Sequence, residues 1–296
     1  MRILNYGSMN LDYVYTVASF VQPGQTACAL TRSVYGGGKG LNQSIALARA
    51  GSRVYHAGTI GTDGESLLTR LRENGVDTQF VFHRPCLSAH TVIQVNDAGE
   101  NCILFYRDPA LSLTSEELEH IFVHFGSDDW LLTQNEMAHG PQVMQMAKAR
   151  GMRIAWNPSP LDAQIDAYPM ELVDLFLLNE LEAQALSGCK KAGDCIHALH
   201  RRFPRAWVLI TLGARGSMCL APDGVLTHCP AAPAHAVDTT GAGDTYTGFF
   251  LSAWWQGAPL SAAMARASNA AAYCVQRHGA SSSIPFVHQL DSDVRP

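Results

Sequence analysis

No stretch of this chain stays apolar for the ~20 residues that a bilayer crossing requires, because charged and polar residues interrupt every hydrophobic run earlier. Positive charge is not in excess either: 21 Lys and Arg face 26 Asp and Glu, a formal net charge of -5. The basic stripe expected of a nucleic-acid or anionic-membrane partner is therefore missing. The start, Met1-Arg2-Ile3-Leu4-Asn5-Tyr6-Gly7, reads as a short strand and lacks a long apolar leader core. These absences predict a soluble, cytoplasmic protein with neither nucleic acid nor membrane as a partner. The eight cysteines include no C-x-x-C pair, which removes zinc-site spacing and leaves them too dilute for a disulfide scaffold. Cys219 and Cys274 sit among apolar neighbours and read as small buried hydrophobes. The histidine pairs His120/His124 and His197/His200 have helical spacing but lack a third ligand and a metalloprotease Glu, so solvated helix faces suffice. No repeat, low-complexity tract or linker divides the 296 residues, 47% of them hydrophobic. The expectation is a single domain over 1–296, with ample material for a core.

What is present is an alternation of apolar β-rich runs with helix-period segments. Val54–Gly58, Trp130–Thr133, Arg153–Trp156, Leu175–Leu178 and Trp207–Thr211 read as buried strands, with helices predicted from Glu65 to Asn74 and from about Pro141 to Arg150. This pattern argues an α/β fold, a mostly parallel central sheet flanked by helices. Two regions depart from it. Leu11–Tyr15 and Ala27–Leu30 flank a Pro23-Gly24 turn, and Thr91–Val95 and Cys102–Tyr106 flank Asn96-Asp97-Ala98-Gly99. Such turn composition between short strands is a hairpin signal. The four strands, from about 10–36 and 88–106, are expected to pair into a small β-sheet lid over the mouth of the core. Thr114 with Glu117 has capping-box spacing and needs only a helix start to explain it.

Two glycine-rich segments carry chemistry. Gly36-Gly37-Gly38-Lys39-Gly40-Leu41-Asn42 runs into a helix-like stretch beginning at Gln43. Gly40 follows Lys39 where a P-loop needs Ser or Thr, and no G-x-G-x-x-G register closes. The segment is either a tight structural turn or a loop whose backbone approaches a ligand, with Lys39 as cation and Asn42 as donor and acceptor. In Ala236-Val237-Asp238-Thr239-Thr240-Gly241-Ala242-Gly243-Asp244-Thr245, small residues open directly into an apolar helix. The unpaired N–H groups of Gly241, Ala242, Gly243 and Asp244 would form an anion site at the positive end of that helix. A carboxylate at such a site repels a plain phosphate. It makes sense if Asp244 takes a proton from a hydroxyl while the N–H groups stabilise developing phosphoryl charge; the alternative is an ordinary first-turn helix acid.

With both segments in hand, the sequence resembles the ribokinase family of sugar kinases, also called PfkB carbohydrate kinases. Gly37-Gly38-Lys39-Gly40-Leu41-Asn42 is similar to the first family signature, and Asp238-Thr239-Thr240-Gly241-Ala242-Gly243-Asp244 to the second. Lesser similarities extend the resemblance over essentially the whole chain. It implies a ribokinase-like, Rossmann-like core with the β-sheet lid. It also implies Asp244 as base and the Gly241, Ala242, Gly243 turn as anion hole. Asn10, Asp12, Gly38, Lys39, Asn42 and Glu136 would surround the sugar. Asn157-Pro158-Ser159-Pro160 resembles a family segment after a core strand. Asn179 and Glu182 match an Asn-x-x-Glu motif that organises hydrated Mg2+ and phosphate; their spacing is also that of a capping box. Thr211, Gly213 and Gly216 resemble the ATP-binding strand and turn. Asp238, Thr240, Gly279 and Ser283 would hold K+, with Arg277-His278-Gly279-Ala280 resembling the cation loop. Beside adenine the family places Asn or His, whereas this chain offers Ser268 followed by Asn269, and Cys274 replaces a small aliphatic residue near the cation loop.

The implied function is transfer of the γ-phosphoryl group of ATP to a primary hydroxyl of a small sugar, with Mg2+ and K+ as cofactors. Asn10, Asp12 and the Gly-Gly-Lys-Gly segment favour a ribose-like pentose. Phe105-Tyr106-Arg107-Asp108 instead resembles fructokinases and keto-sugar-acid kinases, and Arg107 is either a reader of a carboxylate or a solvated charge. A nucleoside kinase is a further alternative, and a non-catalytic sugar-binding regulator is the alternative of a different class. The lid would also offer the surface for a homodimer.

Overall fold

The structure is a computed structural model and describes residues 1–291. In chain order, β1 (Ile3–Tyr6), β2 (Asn10–Thr16) and β3 (Thr31–Gly37) lead to α1 (Lys39–Arg49), then β4 (Val54–Ile60), α2 (Glu65–Glu73) and β5 (Asp77–His83). Next come β6 (His90–Val95), β7 (Asn101–Tyr106), α3 (Ser115–Phe122), β8 (Trp130–Gln134), α4 (Gly140–Ala149) and β9 (Arg153–Asn157). The chain continues through β10 (Leu175–Asn179), α5 (Glu180–Ser187), α6 (Ala192–Arg202), β11 (Trp207–Thr211), β12 (Ser217–Leu220) and β13 (Leu226–Cys229). It ends in α7 (Ala242–Trp255), α8 (Leu260–Val275) and α9 (Val287–Asp291).

The main sheet has nine strands in the order β13-β12-β11-β10-β9-β8-β1-β4-β5. Its pairs are parallel from β11 to β5, and β12 and β13 add an antiparallel edge. Helices cover both faces because the core strands are apolar on both. Leu4, Leu131, Ile154, Phe176 and Val208 pack into one apolar layer with α3, α4 and α6. Their neighbours Ile3, Leu132, Ala155, Leu177 and Leu209 pack into the other with α1, α2, α7 and α8. Alternation of successive side chains between the faces of a strand produces this division. Each such buried Leu, Ile, Val or Phe side chain contributes roughly 1.5–3 kcal/mol. The capping box forms at the start of α3, where Thr114 Oγ1 accepts from Glu117 N and Glu117 Oε2 from Thr114 N. Among the described residues no helix is long and apolar enough to cross a membrane. Cys219 and Cys274 are buried as expected.

Four strands form the second sheet, in the order β3-β2-β6-β7. One expected strand is displaced: residues 27–30 lie in the connection, and the strand is Thr31–Gly37. Register explains the shift, because Asn10 pairs with Gly37 and Thr16 with Thr31, so the pairing partner of β2 begins only at residue 31. Helix α1 also begins earlier than the expected start at Gln43, at Lys39, which places Lys39 and Asn42 on its first turn. Two glycines make that start possible. Gly38 adopts φ +97, which side chains disfavour. A Cβ on Gly40 would lie 2.4 Å from Gly7 C and Ser8 N, so only glycine lets α1 press against the end of β1.

Candidate active site

In the main sheet β4 and β8 leave β1 on opposite sides, and the crevice outside the carboxyl ends of strands at such a reversal is where open α/β sheets bind ligands. Here the last residues of four consecutive strands are polar: Gln134 of β8, Asn157 of β9, Asn179 of β10 and Thr211 of β11. Register aligns them, Gln134 with Asn157 and Asn179 with Thr211. A cavity of about 180 Å³ opens above them, lined by Lys39, Asn157, Asn179, Glu182, Thr211, Gly241, Gly243 and Asp244 among others. The two glycine-rich segments, far apart in sequence, meet here.

Asp244 lies on the first turn of α7, after Gly241 at the N-cap. Its Oδ2 accepts from Asn42 Nδ2 at 3.0 Å and its Oδ1 from Gln43 Nε2 at 2.9 Å. Burial pushes the carboxyl up to about 6, against the pull of Lys39 and the two amide hydrogen bonds, with Glu136 adding a push. Of the four N–H groups expected to be unpaired at this helix start, Ala242 N turns to Thr239 O at 3.2 Å. Those of Gly241, Gly243 and Asp244 meet no acceptor among the described residues. Across the cavity, Asn179 and Glu182 form a capping box: Asn179 Oδ1 accepts from Glu182 N, and Glu182 Oε2 from Asn179 N, each at 2.8 Å. Glu182 Oε1 also accepts from Asn179 Nδ2 at 2.7 Å. Burial raises the Glu182 pKa, opposed by the Asn179 N–H, the Ser159 hydroxyl and Lys39.

Beside this cavity, under the second sheet, lies a smaller one lined by Ser8, Asn10, Phe105, Arg107, Glu136 and Met137 among others. Asn10 Nδ2 and Thr91 Oγ1 both donate to Asp12 Oδ1. Burial raises the Asp12 pKa against those two hydrogen bonds. Glu136 Oε2 accepts from the Ser8 hydroxyl and from Lys39 N, and its Oε1 lies 3.9 Å from Lys39 Nζ. Arg107 is not a freely solvated charge. Its Nη1 donates to Glu136 O at 2.6 Å and its Nη2 to Leu111 O at 3.2 Å, so it ties the loop after β7 to the loop after β8.

The remaining expected residues lie outside these two cavities. Asp238 Oδ1 accepts from Thr240 N and Oγ1, and Asp238 Oδ2 from Gly279 N, while Ser283 Oγ donates to Gly279 O. Asp238, Thr240, Gly279 and Ser283 thus form one oxygen-rich loop cluster behind the start of α7, with Cys274 Sγ 3.0 Å from Ser283 Oγ. Gly213 and Gly216 shape the turn after β11. Ser268 Oγ accepts from Ala232 N at 2.8 Å and contacts Pro230 O at 3.3 Å, whereas Asn269 is exposed on α8.

Residues 2–286 match the family model described as pfkB family carbohydrate kinase. The chain belongs to that family. Over 302 aligned residues it is 30% identical to a ribokinase of Staphylococcus aureus (strain COL), covering 98% of each chain. It is 31% identical to a ribokinase of Mus musculus, covering 96% of this chain and 92% of that one. A solved structure of Arabidopsis thaliana ribokinase, complexed with ribose and ATP, superposes with a TM-score of 0.87 at 26% identity, covering 98% of this chain and 97% of that one. The family makes the protein a sugar kinase, not a non-catalytic regulator, on a ribokinase-like fold whose small sheet is the lid.

In this carbohydrate kinase the sequence reading overlooked the polar residues behind Asp244. Gln43 Nε2, which holds Asp244, also donates to Asn157 Oδ1 at 3.0 Å, and Gln43 Oε1 accepts from Gln134 Nε2 at 2.7 Å. Gln134 in turn donates to Asn5 Oδ1 at 3.0 Å. The available signal was slight: a glutamine next to Asn42 at the start of a helix-like stretch that turns apolar after it, Gln43-Ser44-Ile45-Ala46-Leu47.

Proposed function

We propose that this sugar kinase transfers the γ-phosphoryl group of ATP to the primary hydroxyl of ribose, with Asp244 as the general base. The observation that carries the reading is the Asp244 carboxylate, gripped through both oxygens by amide donors beside the N–H groups of Gly241 and Gly243. The hydroxyl proton passes to Asp244 as the new O–P bond forms and the bond from the γ-phosphorus to the bridging oxygen breaks, releasing ADP, while the Gly241–Ala242–Gly243 turn meets the negative charge on the transferring group. Asn10, Asp12, Gly38, Lys39, Asn42 and Glu136 bind the sugar hydroxyls and orient the acceptor. Closure of the lid, residues about 10–36 and 88–106, excludes water and limits ATP hydrolysis.

Three further groups of residues complete this reading. Mg2+ bound with ATP would supply charge neutralisation on the phosphates. Glu182 and Asn179 would hold it in place, the Glu182 carboxylate being the fixed negative charge on that side of the cleft, oriented by the two N–H groups of Asn179. Thr211, Gly213 and Gly216 serve the nucleotide, and Asn269 is the better partner for adenine because the Ser268 hydroxyl is spent on Ala232 N. Asp238, Thr240, Gly279 and Ser283 offer the oxygen donors that a hard monovalent cation such as K+ accepts. Potassium is expected to stimulate turnover above sodium at matched ionic strength; equal rates in a chloride series that includes a bulky organic cation would remove the cation from this reading.

Ribose is favoured over the alternatives on two grounds. Two relatives similar over nearly the whole chain are ribokinases, and two of the five N–H donors of Arg107 are taken by backbone carbonyls, which leaves fewer for the carboxylate of a keto-sugar acid. A homodimer through the lid belongs to the same proposal, since every position of β7 is exposed. The test is a coupled ADP-release screen across pentoses, ketohexoses, keto-sugar acids and nucleosides. Ribose is expected to show the highest kcat/KM, and a ketohexose, sugar acid or nucleoside that clearly exceeds it would overturn the assignment.

A further inference from the structure

We infer that Gln43 is a positioning residue for the base, and that a buried chain of side-chain amides fixes which way its amide points. The inference rests on the reading of Asp244 as the base. Its starting points are two main-chain carbonyls, which can only accept hydrogen bonds. Asn5 Nδ2 donates to Gly40 O and to Ser44 Oγ, both at 2.8 Å. Asn5 Oδ1 is therefore left to accept, and it does so from Gln134 Nε2. The second N–H of Gln134 goes to Gln43 Oε1. On the other side Asn157 Nδ2 donates to Leu177 O at 2.9 Å, which leaves Asn157 Oδ1 to accept from Gln43 Nε2. Both neighbours thus require the same orientation of Gln43, and its second N–H is aimed at Asp244 Oδ1.

A flipped Gln43 would set oxygen against the oxygens of Asn157 and Asp244, and NH2 against the NH2 of Gln134. Asn5, Gln43 and Gln134 are fully buried, so water cannot relieve those clashes and a mispaired amide there is expensive. Gln43 and its neighbour Asn42 together present a donor to each carboxylate oxygen. This favours the unprotonated form of a group that burial pushes the other way. The charges facing Asp244 are Lys39 of α1, Glu136 after β8 and, across the cavity, Glu182 of α5. All three stay in place when Gln43 or Gln134 is changed.

The test is the pH profile of kcat/KM for the sugar, at saturating ATP, in the full-length enzyme and in Asp244→Asn, Gln43→Leu, Gln43→Glu and Gln134→Leu. In the wild type the acid limb is expected at about 6. Gln43→Leu is expected to move it up by about one unit, a roughly tenfold lower kcat/KM on the acid side, with sugar KM nearly unchanged. Gln134→Leu, which touches neither Asp244 nor the sugar side, is expected to give a smaller shift in the same direction. Gln43→Glu keeps the shape and puts a carboxylate against a carboxylate, so its shift should exceed that of Gln43→Leu, and it serves as the probe if the leucine variant does not fold. The limb is read as a ratio of rates between pH values, so a reduced folded fraction cancels. An acid limb that stays in place in both Gln43 variants, while Asp244→Asn is inactive, overturns the role of Gln43 and leaves the base intact. A shift in the Gln43 variants with none in Gln134→Leu overturns the amide chain. An active Asp244→Asn overturns the base itself.

Discussion

The floor of the cleft and the lid use short strands to opposite ends. At the floor, β8 to β11 end in polar residues whose partners lie inside the protein, and Gln134 and Asn5 have no contact with solvent. In the lid, β7 exposes all six of its positions, and Leu104 is 69% exposed. The floor has its hydrogen bonds in place before substrate arrives, which is how an electrostatic site avoids reorganisation during reaction. The lid leaves apolar surface uncovered, the arrangement of a segment that moves or meets a partner. Preset hydrogen bonds and exposed apolar surface are therefore assigned to different sheets.

The contrast can be broken most severely at Gly40. Gly40→Ala would drive a methyl group into Gly7 C and Ser8 N, both main-chain atoms that cannot swing aside. A loss of about 3 kcal/mol or more is expected, with activity abolished, read by thermal melting and turnover. Asp244→Asn should leave the melt nearly intact yet lower kcat by at least ~10²-fold, with a much smaller effect on sugar KM; near-normal kcat would mean that the floor is not the catalytic side. The wild-type pH dependence follows from the same group. A base whose pKa is raised to about 6 is active above that value and is lost by protonation as pH falls through it. A flat profile between pH 5 and 8 would contradict it.

Arg107→Ala probes the seam between the two regions. The substitution leaves Glu136 O and Leu111 O without their donors. Sugar KM should rise about 10-fold, with a smaller change in kcat, because the loop carrying Glu136 loses its tie. An unchanged KM would show that the loop holds itself in place. The smallest effect is expected in the lid. Leu104→Lys should change folding stability by no more than about 0.5 kcal/mol in the monomer, as for most exposed positions. If two lids meet, the same change should shift the protein to a monomer in sedimentation; an unaltered dimer would place the interface elsewhere.

The core strands and Asp244 were legible for a simple reason: each announces itself within a few consecutive residues. Trp207-Val208-Leu209-Ile210-Thr211 is a continuous apolar run, as a strand covered on both faces must be. Gly241-Ala242-Gly243-Asp244 carries the small residues of a helix start and the acid together. Thr31–Gly37 was less visible because an edge strand of a half-exposed sheet has no dense apolar run, and its limits were decided by pairing with β2. Arg107 read as either a carboxylate reader or a surface charge, since nothing beside it in sequence discloses the carbonyls of Glu136 and Leu111.

By itself, the sequence determined which segments become strands and helices in the core, and which glycine-rich stretches open the helices that line the cleft, because periodicity and glycine placement act over a few residues. Only the tertiary structure decided that Asn5, Gln43, Gln134 and Asn157 share one network, and that the network ends on Asp244. Those residues come from β1, α1, β8 and β9, and each is an ordinary polar residue in its own surroundings. Their meaning lies in the direction of their hydrogen bonds, and that direction exists only once the parallel sheet has brought the strand ends side by side.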